Sequence, residues 1–458
     1  MRRTLTRLTV AFLLIAGSAL IALGATPADR SVLPPSPTPQ SQESLVQMFK
    51  IAWKKMPSLP RGFQGSTGGI VDGTLLTTCG FCSGERGVKG KPHTYPRGHM
   101  RNTWGLDLGN PERGWRELPD FPGEARQDNF AVVVNDELYT WGGFSYSEPY
   151  CYNDGYKLSH NSGRWAWERL PDLPWRVSTS GICATGSKVY VVGGADYDEE
   201  KFYTTGDRAG ATSRLGARLL VIDTENLSGG WRELTPCPGT PRWAHATAAV
   251  DGQICVVGGA TGNDNVTGQY CTVVDNWRYD PGTDEWDRLR DLPVASGNFP
   301  AGQIVYGDRY MVLIGGYQYA WVLNPDGTTR KPYGKPFAHY KGKSYYSDVF
   351  VYDTTADMFG TATPLPLNNN LPMTVVAGNR IHLIGGETGG AVVGGEHFGH
   401  HPDLYLVGDI VEVRMAKGGD QQPVGEGLVP SSGKPPATAD LRRDARPTSF
   451  MSELVHER

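Results

Sequence analysis

The octapeptide WRELPDFP (Trp115–Pro122) decides the fold because it recurs. It appears as WKKMPSLP from Trp53, WERLPDLP from Trp167, WRELTPCP from Trp231 and WDRLRDLP from Trp286, with a degenerate FGTATPLP from Phe359. Successive copies stand 52 to 73 residues apart. A second element alternates with the first, an apolar run closed by two glycines. It ends at Gly142-Gly143, Gly193-Gly194, Gly258-Gly259, Gly315-Gly316 and Gly385-Gly386, with Cys79-Gly80 as a degenerate first copy. Six of each element mean six repeats of one structural unit.

Composition says which unit. Gly (59) and Pro (33) make a fifth of the 458 residues, too many helix breakers for a bundle or coiled coil. The 12 Trp, 21 Tyr and 14 Phe supply a core. Many turns plus many aromatics point to an all-β fold of short strands. At this period the pattern is that of a six-bladed kelch β-propeller. The run Val189-Tyr190-Val191-Val192 reads as a second strand buried between neighbouring blades, and the glycines after it let the chain bend where blades crowd. Each Trp opens an outer strand and covers the blade edge with apolar area.

Chain order adds one detail. It runs as an outer strand, five complete blades, then three strands ending near Leu404–Val407. The segment Phe49 to Met56 is therefore expected to close the ring as the missing outer strand of the sixth blade. The propeller is placed at residues 48–416. Ahead of it, Arg2, Arg3 and Arg7 precede the apolar run Leu8 to Leu23, which reads as a signal peptide over 1–24, cleaved near Gly24–Ala25. An exported protein, periplasmic or secreted, is expected, and an uncleaved segment would anchor it in a membrane. Residues 25–47 and 417–458, rich in Pro, Ser, Gly and Gln, read as a disordered linker and tail. A net charge of −4 offers no basic surface to nucleic acid.

Ligand groups should gather where the loops that enter each inner strand meet the loops that leave each second strand. Arg61, Arg126, Arg176 and Arg242 fall in four of the entering loops, with Asn298 and Asn368-Asn369-Asn370 in the others. Converging guanidiniums suit a carboxylate, although each Arg could instead prop its own loop by bonding backbone carbonyls. The leaving loops supply Tyr146, Glu148, Asp264, Tyr317, Tyr319 and Glu387. Rings beside polar groups suit a sugar. Glu387 follows a glycine pair directly and is the candidate base. Cys79 and Cys82 suggest a local disulfide or metal clip. Glu396-His397, His400-His401 and Asp403 form a polar cluster that reads as a solvated loop, with metal binding as the alternative. No cofactor and no resident metal are expected.

The segments GFQGSTGGIVDG (Gly62–Gly73), FPGEARQDNFAVVVNDELYTWGG (Phe121–Gly143), FAHYKGKSYYSDVFVYD (Phe337–Asp353) and IHLIGGETGG (Ile381–Gly390) resemble the kelch-type N-acetylneuraminate epimerases. That family comprises secreted six-bladed sialic-acid mutarotases. The resemblance implies an isomerase acting on an acidic sugar, and it adds His339 to the substrate-binding candidates. It departs at one place. The family's fourth-blade loop reads Gly-Glu-Ala-Lys-Pro-Gly-Leu-Arg, and its Glu is the proposed proton acceptor. Here Gly259 is followed by Ala260, Thr261, Gly262, Asn263 and Asp264, so Ala260 stands at the acceptor's position. A propeller that binds glycan or protein without catalysis is the alternative expectation.

Overall fold

The computed structural model describes residues 33–37, 39–84, 97–196, 215–263, 270–297, 302–319, 321–330, 339–340, 343–388, 391–393, 396–398 and 400–413. The expected signal peptide and tail lie outside them, as do Asp264 and Asn298. The fold is the six-bladed kelch propeller. Inner strands, one per blade, run over Thr67–Val71, Phe130–Val134, Gly181–Thr185, Ala246–Val250, Gly302–Gln303 with Val305–Tyr306, and Met373–Ala377. Each leads outward through three further antiparallel strands, as in blade 4 with Gln253–Val257, Asn276–Asp280 and Glu285–Leu289. Among the described residues no helix is long and apolar enough to cross a membrane.

Burial follows position in the blade. The second strand Tyr310–Ile314 is buried at every residue, because neighbouring blades cover both its faces. The outer strand Arg164–Leu170 alternates between exposed and half-buried positions as far as Glu168, since only one face meets a neighbour. Three of the Trp residues at the outer strands do more than cover an edge. Trp53, Trp167 and Trp286 donate their indole N–H to the carbonyls of Thr363, Pro119 and Thr235, each in the preceding blade. One side chain thus buries area and pins two blades together.

The glycine pairs are required by space and by backbone. Gly142 and Gly143 sit at φ 66° and 111°. A Cβ on Gly142 would lie 2.5 Å from the carbonyl oxygen of Val177. Cys79, at φ 61°, takes the place of the first glycine in blade 1.

Around the axis the six entering loops align by one isolated β-bridge each: Gln64 with Phe81, Gln127 with Phe144, Ser178 with Ala195, Trp243 with Ala260, Gly297 with Tyr317 and Asn370 with Glu387. The residue after the first partner is left-handed at Gly65, Asp128, Thr179, Ala244 and Leu371. These residues bond head to tail. Asp128 N–H donates to Gly65 C=O, Thr179 to Asp128 and Ala244 to Thr179, while Gly65 donates to Leu371. Four non-glycine residues hold this strained conformation because the ring of inter-blade bonds fixes it.

The ring closes as expected. Gln47–Lys55 forms the outer strand of blade 6, antiparallel to Tyr405–Val413, paired from Phe49 opposite Val413 to Lys55 opposite Leu406 with a register shift between Lys50 and Ile51. It begins two residues before the expected Phe49. The end expected to be a disordered linker is built onto the domain from residue 33. Leu33 is buried with Cys237 and Trp277, and Leu45 packs on the blade 4–5 core. The Gln40 side chain brackets Phe359, donating to its carbonyl at 2.8 Å and accepting from its N–H at 2.9 Å. That bond pair caps an outer-strand edge that would otherwise face water. A chain beginning at Gln47 should therefore lose about 2–4 kcal/mol, the scale of two apolar side chains and one bracket. One beginning at Met56 should not fold cooperatively. Chemical denaturation checks both; equal stability of the two truncations would contradict the assignment.

Candidate functional site

The bridge pairs give a true alignment of the loops, and it revises the arginine ring. Phe63, Arg126, Val177, Arg242, Ser296 and Asn369 precede the first bridge partner and are equivalent. Arg61 falls two residues early and the exposed Arg176 one residue early. Only Arg126 and Arg242 share a position, and both are turned into the protein, at 0% and 1% exposure. Arg126 donates to the carbonyls of Glu124 and Gly142 and, through two nitrogens, to the Asp154 carboxylate at 2.5 and 3.0 Å. Arg242 does the same in blade 4, donating to Thr240, Gly258 and both the carbonyl and carboxylate of Asp275. In blade 6, Asn369 reaches the equivalent carbonyl, Gly385, at 3.0 Å. These side chains prop their loops, the alternative weighed for them; they do not face a ligand.

The Asp275 carboxyl lies below the usual carboxylate range. Burial pushes it up, but the Arg242 guanidinium, the Trp277 N–H and the Thr240 N–H together outweigh that.

The second bridge partners form a collar at the mouth: Phe81, Phe144, Ala195, Ala260, Tyr317 and Glu387. Four of them join one apolar cluster with Trp243, Tyr319 and Tyr345, which fills blades 2 to 5 of the mouth. Tyr317 and Tyr319, expected as sugar-stacking rings, are buried there and bond hydroxyl to hydroxyl. The aromatic surface that remains lies nearer blade 1. Half-buried Tyr146 stands 5.4 Å from Phe81 and 4.8 Å from His99, ring centre to ring centre. Burial pushes His99 down to about 4.

Glu387 alone in the collar carries a carboxylate, and it is 7% exposed. Asn370 Nδ2 donates to its Oε2 at 2.7 Å. His400 Nε2 lies 2.9 Å from Oε1. The other His400 nitrogen, Nδ1, is 3.0 Å from the Thr388 carbonyl. A carbonyl only accepts, so Nδ1 carries a proton, and the Glu387–His400 contact then shares one more between carboxyl and imidazole. His401 stacks on His400 at 4.7 Å and is pushed down to about 3, by burial foremost and then by His400. The polar cluster expected to be solvated is therefore dissolved: His401 and Asp403 are buried and His400 is half-buried. The side chains of Glu396 and His397 lie outside the described residues, as does that of His339, whose backbone pairs with Ser344. The glycine pair points to Glu387 in the sequence, but no local pattern joins it to His400. The available signal was a His in the same leaving loop, across a hairpin of strands Ala391–Val393 and Glu396–Phe398.

All seven cysteines are buried thiols, so no disulfide joins Cys79 to Cys82. Burial pushes Cys79 up to about 12, which suits packing and not redox chemistry.

No family model matches the chain. It is 26% identical over 362 residues to an N-acetylneuraminate epimerase of Haemophilus influenzae (strain 86-028NP), covering 73% of this chain and 88% of that protein. It is 24% identical over 378 residues to an N-acetylneuraminate epimerase of Pasteurella multocida (strain Pm70), with the same coverage. A kelch repeat-containing protein of Arabidopsis thaliana is 25% identical over 288 residues, 62% of this chain and 60% of that one. A solved structure of YjhT superposes with a TM-score of 0.52 at 17% identity, covering 75% of this chain and 95% of that one, and shares the fold. The resemblance to N-acetylneuraminate epimerases thus extends across about three quarters of the chain.

Proposed function

We propose that this protein is exported, binds an acidic sugar at the propeller mouth and interconverts its anomers. The observation that carries this reading is the Glu387–His400–Thr388 chain at the collar, where an otherwise apolar ring holds one carboxylate. Relatives named N-acetylneuraminate epimerase supply the substrate class.

Opening the sugar ring moves two protons and no other atoms. The Glu387 carboxylate takes the proton from the anomeric hydroxyl. The C–O bond to the ring oxygen breaks with its electron pair on that oxygen, which takes a proton from the His400 imidazolium. Rotation of the open-chain carbonyl and the reverse steps give the other anomer and restore both groups. The residues act as general base and acid, and no cofactor is consumed. Tyr146 offers a ring for the sugar's C–H face. We assign the sugar's carboxylate to Arg61, a half-buried cation whose charge acts on Cys82, and to Arg97, whose charge disfavours protonation of His401.

Anomer exchange of N-acetylneuraminate, followed by NMR, should be faster with protein than in buffer at equal pH. A folded protein that leaves the exchange rate unchanged would exclude catalysis. The second reading, a propeller that binds sugar without turning it over, is favoured by Ala260 at the position of the family's proposed acceptor.

A further inference from the structure

We propose that Glu387, His400 and His401 form a binding site for one divalent transition-metal ion of the zinc or cobalt class at the propeller mouth. The site goes beyond the sugar chemistry and does not depend on it. Each residue offers one ligand atom, and the three atoms lie within 4.8 Å of one another. Two imidazoles and a carboxylate are a ligand set suited to zinc, whereas calcium and magnesium prefer all-oxygen cages.

Three features make this more than a chance meeting of polar groups. First, His400 is oriented as metal-bound histidines usually are. Its Nδ1–H is held by the Thr388 carbonyl at 3.0 Å, which fixes the ring and turns Nε2 toward Glu387. Second, Nε2 and Oε1 are 2.9 Å apart. Two ligands of a tetrahedral ion at about 2.0–2.1 Å stand roughly 3.3 Å apart, so a shift of a few tenths of an ångström brings this pair to ligand spacing, and the His401 nitrogen, within 4.8 Å of both, has to close the remaining gap. The Asn370 amide already steadies the second carboxylate oxygen from behind. Third, His401 is 2% exposed, and its Nδ1 has no hydrogen-bond partner among the described residues. The Phe81 backbone bonds the ring, but a buried nitrogen without a partner is costly, and a metal ion at the cluster would satisfy Nδ1.

Three protein ligands leave a fourth position for water or a ligand oxygen from the mouth. The two chemistries exclude each other at one moment, since a bound ion takes the lone pairs that proton exchange needs.

The test uses the full chain, stripped with chelator and titrated with Co²⁺ alone. Calorimetry should give one site per chain, and the visible absorption should take the intense form of a four-coordinate ion. His400→Ala removes a half-buried ring and should weaken binding at least 100-fold. His401→Asn, closer in polarity, should do the same if the His400 variant misfolds. Absence of saturable binding by the wild type, or unchanged affinity in a folded variant, overturns the proposal. Neither result depends on whether the protein moves anomers, so the metal site and the sugar reading fail separately.

Discussion

Replacing Arg242 by Ala should destabilise the protein by about 3–5 kcal/mol, the cost of leaving a buried charge without its partner. Asp275 is buried beside it and keeps the N–H groups of Thr240 and Trp277 after the change, with Arg288, itself paired to Asp291, as its remaining nearby cation. The same substitution at Arg126 should cost less. Its partner Asp154 is 17% exposed and has Arg169 at 3.5 Å as a second cation. Denaturant melts of the two variants give the ordering directly. Equal losses would mean that the loop carbonyls, which both arginines bond alike, dominate over the ion pairs. A paired variant, Arg242→Met with Asp275→Asn, should recover much of the loss because no uncompensated charge remains.

The pair also predicts a pH signature. Asp275 titrates below its unfolded value in the folded protein. Its contribution is therefore present above roughly pH 4 and is lost as pH falls through the lower folded value. Below about pH 4 the wild type should lose stability more steeply than the paired variant. A wild-type acid limb no steeper than that of the paired variant would remove Asp275 from the account.

These arginines show where sequence reading stops. Blade count, strand order and ring closure were legible because covalent order and the Trp and glycine periods dictate them. Even there the closing strand began two residues early, since Gln47 pairs with Thr361 of blade 5, a contact that no period encodes. Loop residues obey no such period. Arg61, Arg126, Arg176 and Arg242 follow the Trp of their octapeptides by 8, 11, 9 and 11 residues, so only Arg126 and Arg242 share a spacing, and the bridge pairs place those two alone in register. Whether a guanidinium faces the mouth or its own loop then depends on an acid just before the third strand, at Asp154 and Asp275. Both residues were visible in the sequence, but nothing local linked them to an Arg some 30 residues away.

Substituting Glu387 with Gln should slow anomer exchange by about 10²-fold or more, the usual weight of a general base, while sugar affinity stays within about twofold. The substitution keeps the shape and can keep the Asn370 bond, so it removes the proton acceptor and little else. The comparison with Ala260 is the argument for proposing the base here. Both residues occupy the same collar position, two blades apart. Ala260 is wholly buried among Trp243, Tyr317 and Tyr319 and carries no group that could accept a proton. At Glu387 the same backbone position brings Asn370 and His400 within 2.7 and 2.9 Å, which compensates burial and supplies a second proton carrier. The rival account makes Glu387 an anchor for the blade 6 loop. An anchor's loss would appear in the melting curve, and the rate would then follow only the folded fraction. Single-turnover exchange at a temperature where both proteins are fully folded separates the two. If the Gln variant matches the wild type there, Glu387 is not the base.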